Sequence, residues 1–279
     1  MTELNLSIIL LLSSFAIGIL GAMSGLGGGS ILTPVLYIFL GVDLHYAMGT
    51  SLVATIATSS GAAAAYVREG YTNLRVGMFL ETATTTGAIC GALLVSLVPK
   101  PFLCIIFALV LFQSAWSSLH AKSEKEEDLV PTDPLAEKLG LNGSYPLAGE
   151  MKSYKVHNVK GGYAVMLCAG CLSGLLGIGS GPLKVLALDQ LMRLPFKVST
   201  TTSNFMIGVT AAASAGVYMS RGYVDPVLSA PVVVGIVGGS MLGARILPKI
   251  KTNILRRIFA VLIVLVAIQM IYKGFGGQL

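Results

Sequence analysis

Apolar runs separated by short polar breaks occupy nearly the whole chain. The first five run over Leu6–Met23, Ser30–Leu40, Ala47–Val67, Leu74–Val98 and Phe102–Leu119. A polar stretch from His120 to Lys160 interrupts them. The pattern then restarts over Gly162–Leu176, Gly181–Met192, Val198–Met219, Val227–Leu247 and Ile254–Tyr272. A helix that spans a bilayer needs about 20 predominantly apolar residues. The third, fourth and fifth segments of each half meet that length. The second of each half is too short and follows a glycine cluster, which predicts a broken or re-entrant helix. No Lys or Arg precedes the first run, so it reads as a retained membrane segment rather than a cleaved leader.

The restart is an internal repeat. Arg68-Glu-Gly-Tyr-Thr-Asn73 matches Ser220-Arg-Gly-Tyr-Val-Asp225 at an offset of 152 residues. The same offset pairs Thr50 and Ser51 with Thr202 and Ser203, Tyr66 with Tyr218, and Gly87 and Gly91 with Gly239 and Gly243. Gly27-Gly-Gly-Ser30 meets Gly177-Ile-Gly-Ser180 at an offset of 150. The predicted organisation is a first membrane repeat over 1–119, a linker over 120–160 and a second membrane repeat over 161–279. Duplicated membrane chains are a hallmark of transporters.

Composition excludes the soluble alternatives. The chain is 54% hydrophobic and 11% charged, against about 25% charged in a soluble domain. The formal charge of +6 is not a nucleic-acid signature, because the basic residues sit at the ends of apolar segments. They also set an orientation. With five elements per half and the N-terminus outside, fourteen basic residues fall inside. These are Arg68, Arg75, Lys122, Lys125, Lys138, Lys152, Lys155, Lys160, Arg193, Lys197, Lys249, Lys251, Arg256 and Arg257. Three fall outside: Lys100, Arg221 and Lys273. That asymmetry is what the positive-inside rule requires, and only inverted repeats produce it. The expected fold is therefore an all-α integral membrane protein of two inverted repeats. Each has about five helical elements, the second of them short. It would lie in the cell (plasma) membrane with both termini outside and the linker cytoplasmic.

Two glycine-rich motifs carry a resemblance: Gly21-Ala-Met-Ser-Gly-Leu-Gly-Gly-Gly-Ser-Ile-Leu-Thr-Pro34 and Ser173-Gly-Leu-Leu-Gly-Ile-Gly-Ser-Gly-Pro182. With Met48-Gly-Thr-Ser51 and the Gly-Tyr turn before the fourth segment, they resemble the sulfite exporter TauE/SafE family of the toluene sulfonate uptake permease superfamily. The resemblance covers nearly the whole chain. It implies a duplicated membrane protein linked to sulfite, sulfonates and related organic anions. The second motif departs from the first at Ile178 and Gly181, and Lys184 stands where the first half has Pro34.

Three sets of residues could carry the chemistry. Gly27, Gly28, Gly29 and Ser30, and Gly177, Gly179 and Ser180, open the short segments. Glycine there would let backbone N–H groups face an anion, at mid-membrane in inverted-repeat transporters; helix kinking is the plainer alternative. Thr50, Ser51, Thr202 and Ser203 offer neutral donors to an oxyanion, or ordinary caps and interhelical bonds. Lys184 and Glu81 are intramembrane charges. Each would cost about 2.5–3.5 kcal/mol at the bilayer centre, so each needs a partner. Lys184 would attract the anion with Glu81 as a coupling proton site, or the two would form a structural pair.

The remaining features read as packing. Gly87-x-x-x-Gly91 and Gly235-x-x-x-Gly239-x-x-x-Gly243 are close-contact helix faces within the chain. Cys90, Cys104, Cys168 and Cys171 read as small buried packing residues. Trp116 and Tyr154 suit interfacial anchoring. His45, His120 and His157 lie far apart, and no metal set, cofactor motif or catalytic set is evident. The expectation is a secondary transporter of a small anion, sulfite or an organosulfonate by resemblance, with coupled protons. Access would alternate about a site between the repeats. A passive anion channel is the alternative, and an enzyme is disfavoured. Monomer and homodimer both remain open.

Overall fold

The computed structural model describes residues 3–24, 27–68, 70–119, 133–147, 150–246 and 252–275. Lys122, Lys125, Lys249 and Lys251 lie outside them. Inside a bilayer every backbone polar group must find an internal partner, so apolar runs of this length fold as helices. The first half comprises α1 (Glu3–Ser24), α2 (Gly29–Pro34), α3 (Leu44–Arg68), α4 (Leu74–Leu94) and α5 (Lys100–Leu119). The second repeats that order with α7 (Val159–Leu176), α8 (Gly181–Leu186), α9 (Phe196–Ser220), α10 (Pro226–Ile246) and α11 (Thr252–Gly274). Among them α4, α7 and α10 are long and apolar enough to cross a membrane. The chain is an all-α membrane protein. The addition to that reading is in the linker, where a short helix α6 (Pro134–Lys138) precedes an antiparallel hairpin of β1 (Gly143–Leu147) and β2 (Glu150–Tyr154).

The short elements are too short to cross a bilayer alone. α2 has 6 residues and continues for 5 more as a π-helical turn, Val35–Phe39. At 1.5 Å per residue that spans roughly 16 Å, about half a hydrocarbon core. Pro34 ends α2, and the wider turn absorbs its missing donor and ring. α8 does the same, running into the π turn Ala187–Leu191. Both excursions close with equivalent bonds, Val42 N to the Leu36 carbonyl at 3.1 Å and Leu194 N to the Leu188 carbonyl at 2.9 Å.

Packing pairs α1 with α10 and α4 with α7, α3 with α9, and α5 with α11. Exchanging the halves leaves these pairings unchanged. Contacts along α3 and α9 step in opposite senses. Tyr218 reaches Met48 near the start of α3, while Ser59 further along bonds the Asn204 carbonyl and the Gly208 amide. The two equivalent helices therefore run antiparallel. The glycine faces are contacts within the chain: Gly87 and Gly91 lie on α7 at Leu167 and Cys171, and Gly235, Gly239 and Gly243 lie on α1 between Leu11 and Ile19.

The outer surface is apolar, and the apolar interior carries a polar stripe. Leu12, Met78, Leu109, Val234 and Val261 face outward, whereas Thr50, Ser51, Thr55, Thr58, Thr202, Ser203 and Thr210 are buried. These hydroxyls make α3 and α9 less apolar than their neighbours, and both sit at the centre. One end of the bundle gathers the 71–75 turn, the 192–197 turn and the linker. Asn73 Nδ2 donates to the Leu141 carbonyl and the Tyr154 hydroxyl at 2.9 and 2.8 Å, Arg75 to the Gly140 carbonyl, and His157 N to the Met192 carbonyl. Lys100 on Asp43, Arg221 on the Ala92 and Leu93 carbonyls, and Lys273 on the Tyr37 carbonyl mark the opposite end.

Two packing expectations are corrected. Tyr154 is a buried hairpin residue held by Asn73, not an interfacial anchor; the linker folds onto Val76 and Leu80 and draws it in. Cys90 and Cys168 face outward and Cys171 is half-buried, leaving Cys104 as the buried thiol. Neither facing could be read from composition, because a small residue in an apolar helix can face lipid or a neighbour.

Candidate functional site

The two glycine breaks come together at mid-bundle. Gly27 and Gly179 adopt left-handed backbone, φ 76° and 72°. A Cβ placed on either would meet the same two side chains: Thr55 and Ile207, at 3.5 and 3.3 Å from Gly27 and both at 2.8 Å from Gly179. Thr55 and Ile207 are themselves 152 residues apart, one from each central helix. The breaks thus face each other across the point where α3 and α9 cross. Gly28 lies against Thr58, and Gly29 against Thr55 and the Ser51 carbonyl, with the Gly177 carbonyl beyond. Gly177 caps α7 with φ 68°, and Ser180 is also left-handed, φ 49°. A non-glycine residue in that region marks a backbone held against its own preference.

The predicted hydroxyls divide into two groups. Ser30 donates to the Gly27 carbonyl at 3.2 Å and Ser203 to the Gly181 carbonyl at 3.3 Å, bracing the breaks. Thr202 accepts from Asn73 N at 3.0 Å, which ties α9 to the turn before α4. Thr50 Oγ1, Ser51 Oγ, Ser180 Oγ and Asn204 Nδ2 are buried with no hydrogen-bond partner among the described residues. Buried polar groups are almost always paired. Ser51 lies one turn before Thr55, Asn204 one turn before Ile207, and Ser180 next to Gly179. Three of the nine such groups among the described residues therefore belong to residues within one turn of the crossing.

The charges meet as well. Lys184, fully buried in α8, reaches Thr210 Oγ1, and Thr210 donates to Glu81 Oε1 at 2.6 Å. Lys184 Nζ and Glu81 Oε2 are 3.9 Å apart. Thr85 donates to Glu81 Oε1 at 3.2 Å. Thr210 is one turn beyond Ile207 on α9, so this cluster adjoins the crossing.

Sequence reasoning missed Thr55, Ser59, Ile207 and Thr210. The signal for three of them is present: Ser51, Thr55, Thr58 and Ser59 form a polar stripe at helical spacing on an apolar helix, and the repeat offset pairs Thr58 with Thr210. Among the described residues no group of three His, Cys, Asp or Glu could hold a metal ion.

A helical bundle with outward apolar and inward polar side chains, and two helix breaks meeting at its centre, has the build of a membrane transporter. Residues 10–270 match the family described as Sulfite exporter TauE/SafE. The chain belongs to that family and is a membrane transporter rather than an enzyme. Similar proteins include the probable membrane transporter YunE of Bacillus subtilis, 28% identical over 96% of this chain and 98% of its own length. YdhB of the same organism is 29% identical over 87% and 92%. MJ0441 of Methanocaldococcus jannaschii is also named a probable membrane transporter and is 23% identical over 89% of each chain. No solved structure matches the chain.

Proposed function

We propose that the chain is a secondary transporter of a small anion, sulfite or an organosulfonate, with access alternating about the crossing of α3 and α9. The observation that carries this reading is the convergence of Gly27 and Gly179 on Thr55 and Ile207, with unpartnered Ser51, Ser180 and Asn204 around them. Neutral donors hold an oxyanion without trapping it by charge. Glycine keeps side chains out of the space an anion would occupy, and left-handed glycine turns aim successive N–H groups into a concavity. Two antiparallel halves on one central contact can rock about it and open the site to either end. The family name supports sulfite and its relatives as the substrate class.

The linker end is the cytoplasmic end in this reading, since it gathers most of the basic residues, and the membrane is the plasma membrane. Flux into proteoliposomes across sulfite, an alkylsulfonate, sulfate and a carboxylate tests the proposal. Saturable flux of sulfite or the sulfonate, lost on Asn204→Leu in a folded protein, is the expected result. Flux that rises linearly with concentration would make the protein a channel. Cysteine at Ser153, in β2, should label only from the cytoplasmic side; labelling by an impermeant reagent from outside would overturn the orientation.

A further inference from the structure

We propose that Glu81 is an internal stand-in for the transported anion on Lys184. The arriving anion displaces its carboxylate, which takes up one proton, so a monovalent oxyanion and a proton move together. This rests on the anion-transport reading above.

Four observations carry it. First, Glu81 is the carboxylate within salt-bridge distance of Lys184 among the described residues, and the pair is loose. Its charged atoms are 3.9 Å apart, and Thr210 relays between them through a bond to each. Second, Glu81 Oε2 is buried without a hydrogen-bond partner among the described residues. A carboxylate oxygen in that state is under-satisfied, and it is the atom a proton would occupy. Third, the fold does not require the pair. Gly27 and Gly179, and the closing bonds at Leu36 and Leu188, hold the offset at 152 through the breaks, so Lys184 corresponds to Leu32 rather than to Pro34 as in the motif alignment at 150. Glu81 corresponds to Val233, while Thr210 keeps a hydroxyl counterpart in Thr58. The opposite half builds the same helices with apolar residues at both charged positions. Fourth, the pair adjoins the crossing. The Lys184 amide bonds the Ser180 carbonyl at 3.1 Å, one turn past Gly179, and Thr210 is one turn past Ile207.

Charge balance dictates the exchange. Lys184 and Glu81 are neutral together. An anion entering alone would leave an uncompensated negative charge in the interior, which is strongly unfavourable. When the anion takes the ammonium and the Thr210 hydroxyl, a proton from the aqueous side binds Glu81 Oε2. The interior then holds an ammonium, a monoanion and a neutral carboxylic acid. No other bond forms or breaks, and release reverses the sequence. A dianion such as sulfate would need a second proton acceptor, so monoanions are favoured. The other titratable groups on elements packed against α4 are Lys160, Tyr163, Cys168 and Cys171 on α7, Lys197 and Tyr218 on α9, and Tyr145 and Tyr154 of the linker; Asp189 lies on the π turn after α8, which packs on α7 and α9. Asp189, as an acid, is the competitor to test.

The experiment uses purified full-length protein with sulfite and methanesulfonate as probes. In weakly buffered detergent solution, binding of methanesulfonate, a monoanion throughout, should take up about one proton per anion; sulfite should take up more near neutrality, because its dianion must also become hydrogensulfite. In proteoliposomes clamped at zero potential, a proton gradient should drive anion accumulation. Glu81→Gln, which mimics the protonated acid, should retain anion exchange but lose proton movement. Lys184→Met should weaken anion binding on the order of tenfold or more. Asp189→Asn should leave coupling unchanged. Flux without proton co-movement, or proton coupling that survives Glu81→Gln, overturns this proposal alone. Absence of flux for every anion overturns the transport reading and the coupling with it. If the variants do not fold, wild-type proton uptake on binding still decides the matter.

Discussion

Adding one methyl group at Gly179 should be far more disruptive than adding it at Gly27, although the two occupy equivalent positions. Both have left-handed backbone, so alanine at either carries the same conformational penalty of about 1–2 kcal/mol. They differ in space. At Gly27 the new Cβ would stand 3.3 Å from Ile207 Cγ2 and 3.5 Å from Thr55 Cγ2, close to ordinary contact. At Gly179 both distances are 2.8 Å, well inside the optimum of about 3.5–4.0 Å for carbon pairs. Overpacking of this kind adds about 1–3 kcal/mol. Gly179→Ala should therefore cost about 2–5 kcal/mol and Gly27→Ala about 1–2 kcal/mol. Thr55→Ser removes one of the obstructing methyls and keeps the hydroxyl that bonds the Ser51 carbonyl at 2.7 Å. It should recover about 1 kcal/mol in the Gly179→Ala background and almost none in the Gly27→Ala background. Denaturant unfolding in micelles, arranged as a double-mutant cycle, measures both. Equal costs for the two alanines, or no coupling between Gly179 and Thr55, would refute the claim that the breaks meet on these side chains.

Two further outcomes test the packing and the linker. At Gly91 an added Cβ would press on the Cys171 backbone, 2.8 Å from its carbonyl carbon, whereas at Gly216 nothing lies within 4 Å. Gly91→Ala should separate α4 from α7 and lower the melting temperature sharply, and Gly216→Ala should stabilise by about 0.5–1 kcal/mol through helix propensity. Asp133 accepts from Val159 N at 2.8 Å and Leu135 N at 2.9 Å, and those bonds hold its carboxyl below the ordinary carboxylate value. A depressed folded-state pKa stabilises above the unfolded value and is lost as pH falls through the folded one. Asp133→Ala should thus cost about 1 kcal/mol near neutrality, and melting curves of the two proteins should converge in strong acid.

The succession of apolar helices and the short second element in each half were legible in the sequence. Lipid leaves the backbone no partner outside the segment, so run length and glycine placement dictate where helices form and break. Gly27 and Gly179 could be named because each lies in a glycine cluster that the duplication repeats, although the motif alignment pairs Gly27 with Gly177 and only the structure makes Gly27 and Gly179 equivalent. Their meeting could not be read, because which helices cross is settled by side chains hundreds of atoms apart. Thr202 shows the limit from the other side: its hydroxyl type suggested a ligand contact, and the bond it accepts from Asn73 could not be read from the sequence. Lys184 and Glu81 could each be flagged as needing a partner, since a lone charge in hydrocarbon is costly. Their pairing, and the bridging Thr210, required the packing of α4, α8 and α9. The fold of the linker was illegible for a related reason. Its hairpin is too short to be stable alone, and Tyr145, Tyr154 and Leu141 find their burial against Val76 and Leu80 of a distant helix. Local chemistry determined what each segment had to be; only long-range packing decided which polar groups were satisfied and which were left facing one another.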